Sequence, residues 1–301
     1  YLPRSVTTTG SSMNQYTTFK VFLICCLSLL PCGKVRADST VFWQQQQYQS
    51  IFYDFNRDQI PDLLLQTKSD AAPSLLVLGE YNSQSELVYL EKNSKALPAQ
   101  IYGMSWSADD AQLLPIRSRA AGSSDLLVIF PKQQNALMIA GNEHNFNFNR
   151  PLAKFQSSQW PFLANVDDFE LHTGDFDNDG VDEILQLAKL TGEHQILKIQ
   201  NNYGLSTQRK IDKKVAWGLS GDARIIIRDF DNDGFTDIFA LAKSPGLPHY
   251  LIKSGKNGDF RDIEGEAIAP TLGGLPWFEQ SSGTVAVKLL EEQRPVLLRL
   301  Y

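Results

Sequence analysis

The sequence predicts an all-β fold: a β-propeller whose blades recur every 54–63 residues, with four full repeats and a partial fifth. Two markers that share this period predict it. Tryptophans stand at Trp43, Trp106, Trp160, Trp217 and Trp277. An acidic loop running into an apolar strand follows three of them, at Asp54, Asp175 and Asp229. The third observation is strand-like texture within a repeat. Short apolar runs such as Asp62–Leu65, Ser74–Leu78 and Leu87–Leu90 are separated by turn residues, and helical periodicity is weak. About four strands per repeat is the content of a propeller blade. One tryptophan per repeat suits an apolar anchor that packs a blade on its neighbour.

The N-terminal segment has a different composition. From Met13 a short polar stretch with Lys20 leads into VFLICCLSLL and then to a small-residue exit at Val35-x-Ala37. This is the form of a secretory signal peptide. Residues 1–37 are therefore expected to be leader, with Met13 as the start and cleavage after Ala37, and 38–301 to be the propeller. The apolar run is too short for the roughly 20 residues that span a bilayer, so no transmembrane segment is expected after cleavage. The three cysteines, Cys25, Cys26 and Cys32, all lie in the leader. The remainder then has no disulfide and no thiol nucleophile. A secreted, periplasmic or cell-surface location follows, and a lipid anchor on Cys32 ranks second because Pro31 fits poorly before it.

The formal net charge is −6. The leader holds Arg4, Lys20, Lys34 and Arg36 and no acids, so its removal leaves a still more acidic chain. Such a chain, without a basic run, is a poor partner for nucleic acid.

The acidic loops carry the chemistry. In the fourth repeat Asp229, Asp231, Asp233 and Asp237 occupy loop positions 1, 3, 5 and 9, and Gly234 at position 6 permits the backbone to reverse. Clustered carboxylates repel one another unless a cation lies among them. The carbonyl of Phe235 at position 7 completes an all-oxygen set that suits a hard cation, with calcium preferred. In the third repeat the same places hold Asp175, Asp177, Asp179, Gly180, Val181 and Glu183. In the first they hold Asp54, Asn56, Asp58, Gln59, Ile60 and Asp62. There Gln59 replaces the glycine and Arg57 adds a positive charge, so this copy is expected to bind weakly or not at all. An EF-hand is excluded, since position 12 is Gln186 or Ala240 rather than a bidentate acid and a strand follows. The remaining alternative is a solvated acidic turn that binds nothing.

The second repeat keeps Gly122 and Asp125 at positions 6 and 9 but has Arg117 and Arg119 where two aspartates would stand. Residues 277–301 keep apolar strands and no ligand set, and are expected to form an incomplete blade. This count leaves two readings: a small, imperfectly closed ring, or a chain that continues past Tyr301.

The motif DFDNDGxxD followed by an apolar strand, complete at 175–183 and 229–237 and degenerate at 54–62, resembles the FG-GAP/VCBS repeat family. The resemblance implies an integrin-like β-propeller with calcium in the blade loops. It implies no reaction, and its seven-bladed members would need a longer chain.

No catalytic motif is present: no G-x-S-x-G, no H-E-x-x-H and no phosphate-binding loop. His144, His172, His194 and His249 lack metal-ligand spacing and read as ordinary surface or turn histidines. The leading expectation is a secreted, calcium-stabilised, non-enzymatic binding or scaffold module with an unidentified protein or glycan ligand. The rivals are a propeller enzyme acting on polysaccharide and the N-terminal part of a larger secreted toxin or adhesin.

Overall fold

The computed structural model describes residues 47–300 except 70–71, 84, 86, 121, 143–144, 190–193, 212–222, 256–259, 261–264, 273–274, 277–282 and 289–294. Of residues after 270 it describes the backbone alone. The leader read at 1–37, and Trp43, Trp217, Trp277 and His144, lie outside the described residues.

Four antiparallel four-stranded sheets form a four-bladed β-propeller. Blade one consists of Tyr48–Tyr53, Asp62–Thr67, Leu75–Tyr81 and Leu87–Ala96. Blade two consists of Gln112–Ile116, Asp125–Phe130, Asn135–Ile139 and Ala153–Gln156. Blade three consists of Phe169–Gly174, Glu183–Ala188, His194–Ile199 and Leu205–Ile211. Blade four consists of Ala223–Arg228, Asp237–Ala242, His249–Ile252 and Glu266–Ile268. Beyond it Gly283–Lys288 pairs with Pro295–Leu300 in a two-stranded sheet, the partial fifth repeat. Among the described residues no helix is long and apolar enough to cross a membrane.

The second strand of every blade is buried along its whole length. A strand covered on both faces must be apolar at successive positions rather than at alternate ones, which is why DLLLQT, DLLVIF, EILQLA and DIFALA carry long apolar runs. Successive blades face each other across apolar clusters. Phe55, Leu64 and Leu76 of blade one meet Leu113, Leu126 and Val128 of blade two, with Trp106 filling the gap. Leu127 and Ile129 meet Ile184 and Leu197 around Trp160. Phe176, Leu185 and Ile196 meet Ile225, Ile238 and Ile252 of blade four. Trp106 and Trp160 are fully enclosed, and their indole N–H groups donate to the carbonyls of Pro98 and Tyr203 at 2.6 and 3.2 Å. Each serves as the apolar anchor its spacing predicts.

The connection from first to second strand has the same length in all four blades: 54–61, 117–124, 175–182 and 229–236. These loops are stitched to one another. The N–H at loop position 8 donates to the preceding blade's loop: Ser124 to Phe55, Asp182 to Arg117 and Thr236 to Asp175, at 2.8–2.9 Å. In blade one position 8 is Pro61, which has no N–H to give.

Two histidines depart from expectation. His194 and His249 are not surface residues; both are buried at the start of a third strand. Each Nδ1 accepts the N–H of the last residue of the second strand, Ala188 at 3.1 Å and Ala242 at 3.0 Å. Ser74 does the same for Thr67 in blade one, at 3.0 Å. The side chain closes a hairpin whose main-chain donor would otherwise be buried without a partner.

Candidate metal centres

The three acidic loops share one hydrogen-bond plan. The position 1 carboxylate accepts the N–H groups of positions 5 and 6. Asp54 takes Asp58 and Gln59, Asp175 takes Asp179 and Gly180, and Asp229 takes Asp233 and Gly234, all at 3.0–3.2 Å. The position 5 aspartate turns back on position 7: Asp58 Oδ1 accepts from Ile60, Asp179 Oδ1 from Val181 and Asp233 Oδ1 from Phe235, at 2.8–3.0 Å. Position 4 is left-handed in all three, at Arg57, Asn178 and Asn232, and so is position 6, at Gln59, Gly180 and Gly234. Gln59 therefore adopts a conformation that glycine adopts without strain. Its loop keeps the turn but not the ease of making it.

The position 9 acid opens the second strand in every blade and is wholly buried: Asp62, Asp125, Glu183 and Asp237. One oxygen of Asp62, Glu183 and Asp237 accepts the position 2 N–H, from Phe55, Phe176 and Phe230, each at 2.9 Å. In three blades an oxygen accepts a main-chain N–H from within or just past the third strand: Gly79 at 3.0 Å, Gly141 at 3.1 Å and Ser254 at 2.9 Å. In blade three none does so. Glu183 Oε1 is buried and receives no main-chain N–H. Burial pushes Asp62 and Asp237 up to about 6 and Glu183 up to about 8, against the lowering effect of these backbone bonds.

Positions 1, 3 and 9 converge in blades three and four. Asp175, Asp177 and Glu183 each offer an oxygen within 4.8 Å of the others, and so do Asp229, Asp231 and Asp237. Oxygens bound to one ion at about 2.4 Å lie no more than about 4.8 Å apart, so each trio can hold a metal ion. The buried Glu183 Oε1 takes no main-chain N–H and faces a cation instead, with Lys198 3.3 Å away, which suits a cation site. Asp179 and Asp233 stand outside these trios, with one oxygen each committed to the turn. Of Val181 and Phe235 the structure shows the N–H in use.

In blade one Asp54, Asn56, Asp58, Ile60 and Asp62 fold into the same turn, but among the described residues no third acidic trio forms there. The Asn56 amide donates to Asp58 at 2.8 Å, and Arg57 turns away to the carbonyls of Arg119 and Ala120 in blade two. In blade two a side chain supplies the cation: Arg119 pairs with Asp125 at 2.6 Å, and Ser118 donates to the same carboxylate.

Arg117 leaves its own loop altogether. It binds Asp182 of blade three through Nε at 2.8 Å and Nη2 at 2.7 Å, and its Nη2 lies 3.5 Å from Asp175. Tyr53 of blade one donates to the other Asp182 oxygen at 2.9 Å. One carboxylate thus ties three blades together. Burial, with the charge of Asp182, drives the Tyr53 phenol well above its ordinary range.

No protein-family model matches the chain, and no curated protein sequence matches it. Among solved structures it is similar to a lectin from Agrocybe aegerita, described as specifically recognising non-reducing terminal N-acetylglucosamine. The similarity has a TM-score of 0.51 at 12% identity and covers 85% of this chain and 61% of the lectin chain. At that identity the likeness is one of fold. The chain spans 61% of the length of the structure it matches.

Proposed function

We propose that this protein is a secreted, calcium-stabilised β-propeller of the FG-GAP/VCBS type that serves as a non-catalytic binding module. The observation that carries the reading is the pair of acidic trios in blades three and four, built on one plan and each containing a wholly buried acid. Asp175, Asp177 and Glu183, and Asp229, Asp231 and Asp237, would hold the ions. Calcium bound there supplies positive charge that offsets the cost of burying ionised carboxylates, and so holds the first and second strands of a blade together. An ion that binds only the folded chain adds its binding energy to stability. Sites of this kind in extracellular modules have dissociation constants of about 0.1–1 mM. They stay loaded outside a cell, which agrees with the leader-like segment at 1–37.

Carbohydrate is the ligand class to test first, because the propeller of similar fold is a lectin; a protein ligand is the other. Calorimetric titration of the folded chain with calcium tests the metal, with about two equivalents taken up as the expected result. A stoichiometry of zero at millimolar calcium refutes it. A glycan array tests the ligand class, and retention of no glycan above background turns the search to proteins.

A further inference from the structure

Both acidic trios have a lysine trained on them from the same place in the fold. The registers Ile184↔Leu197 and Ile238↔Ile252 put Lys198 and Lys253 at equivalent positions, across from the acids that open the second strands. The registers Leu63↔Val77 and Leu126↔Ile139 put Leu78 and Ala140 there in blades one and two, which lack an acidic trio. The lysine is present where the trio is present.

Lys198 reaches into its loop. Its ammonium lies 2.6 Å from Asp179, 3.3 Å from Glu183 Oε1, and in direct contact with Asp177. Asp177 and Glu183 are two of the three residues that would hold the ion, and Glu183 Oε1 has Lys198 as its nearby cation and takes no main-chain N–H. Lys253 is less engaged, 3.5 Å from Asp231. Two cations cannot share one carboxylate cluster without strong repulsion. Lys198 also lines a groove of about 300 Å³ between blades two and three, beside Arg119 and Tyr203. A displaced ammonium has open, polar space to enter.

We propose that Lys198 and Lys253 are tethered counter-ions that hold the acidic loops when calcium is absent and that calcium must displace. This rests on the calcium reading above and deepens it. Metal binding is then an exchange of cations rather than the filling of a bare cluster. The loops keep their shape without metal, and calcium affinity is set by how firmly each lysine is held. Blade four, with the looser lysine, fills before blade three. Blade two is the permanent form of the same device, with Arg119 seated on Asp125.

The test uses the full folded chain and calcium alone. Lys198→Met is expected to tighten one calcium site about fivefold, the effect of removing a competing ion pair of about 1 kcal/mol, and to lower the melting temperature in chelator. In unaltered protein, amine-reactive labelling of Lys198, read by mass spectrometry, is expected to rise when calcium is added. This measurement needs no variant to fold. Unchanged or weaker calcium binding by Lys198→Met, or labelling indifferent to bound calcium, overturns the exchange and leaves the calcium reading standing. If neither protein takes up calcium while Lys198→Met is destabilised, the calcium reading fails. The lysine is then a permanent partner, and the exchange is overturned with it.

Discussion

Replacing Arg117 with methionine is the most direct perturbation of the joint among the first three blades. The guanidinium makes two short contacts to Asp182, at 2.8 and 2.7 Å, and that carboxylate is almost entirely shielded from water, with its side chain 2% exposed. Removing one partner of a buried pair costs about 3–5 kcal/mol, because the other charge is left behind. Two features reduce that figure here. The Arg117 side chain is 34% exposed, so solvent already screens the pair. The Arg117 N–H and the Tyr53 hydroxyl also stay on Asp182, at 2.8 and 2.9 Å. The expected loss is about 2–3 kcal/mol, read by urea denaturation, or roughly 4–12 °C in melting temperature for a domain of this size. Adding Asp182→Asn to Arg117→Met removes the stranded charge and is expected to recover at least half of the loss. A loss below about 1 kcal/mol, or a double variant whose losses simply add, refutes the account of Asp182 as a charge held by Arg117.

Further outcomes follow from the loops. The folded-state pKa values of Asp62 and Asp237, about 6, and of Glu183, about 8, lie above the roughly 4 of an unfolded carboxyl. The folded chain therefore holds these protons more tightly, and the stability they contribute is lost as pH rises from about 4 through about 8. In chelator the contribution of these groups makes melting higher at pH 5 than at pH 8.5, and calcium, which needs the ionised form, raises the melting temperature more at pH 8.5; the reverse order contradicts the assignment. Asp177→Ala and Asp231→Ala are each expected to abolish one calcium site in a titration, while Asp58→Ala leaves the stoichiometry unchanged. Gly141→Ala places a Cβ 1.8 Å from the Ser124 carbonyl oxygen, and is expected to lower stability by about 2 kcal/mol or more in denaturant.

The parts of the fold that were legible in the sequence are those fixed by neighbours along the chain. An acidic turn and the apolar run after it lie within one short segment, so DFDNDG and the strand it feeds announce themselves. The period follows because the segment repeats. What escaped depends on register between strands. Nothing near Lys198 or Lys253 in sequence points to an acidic loop; only the pairing of second and third strands brings them there. The same holds for His194 and His249, which read as ordinary surface or turn histidines because a histidine's partner, here a main-chain N–H across a hairpin, leaves no motif. Asp62, Glu183 and Asp237 are legible as candidate metal ligands; their second task, holding the loop through a main-chain N–H and, at Asp62 and Asp237, a second N–H from the third-strand side, needed the fold to become visible. Arg117 was legible as a lost aspartate. Its partner Asp182 belongs to another blade.

Pro61 has a consequence for how the molecule comes apart. Blades two, three and four each grip the blade before them through one amide hydrogen, and the imino nitrogen of Pro61 cannot offer that grip to anything ahead of blade one. The sequence of joints therefore has a direction and a built-in parting line. Amide exchange in mild denaturant is expected to be faster in blade one than at the joints made by Ser124, Asp182 and Thr236, and equal protection throughout contradicts this.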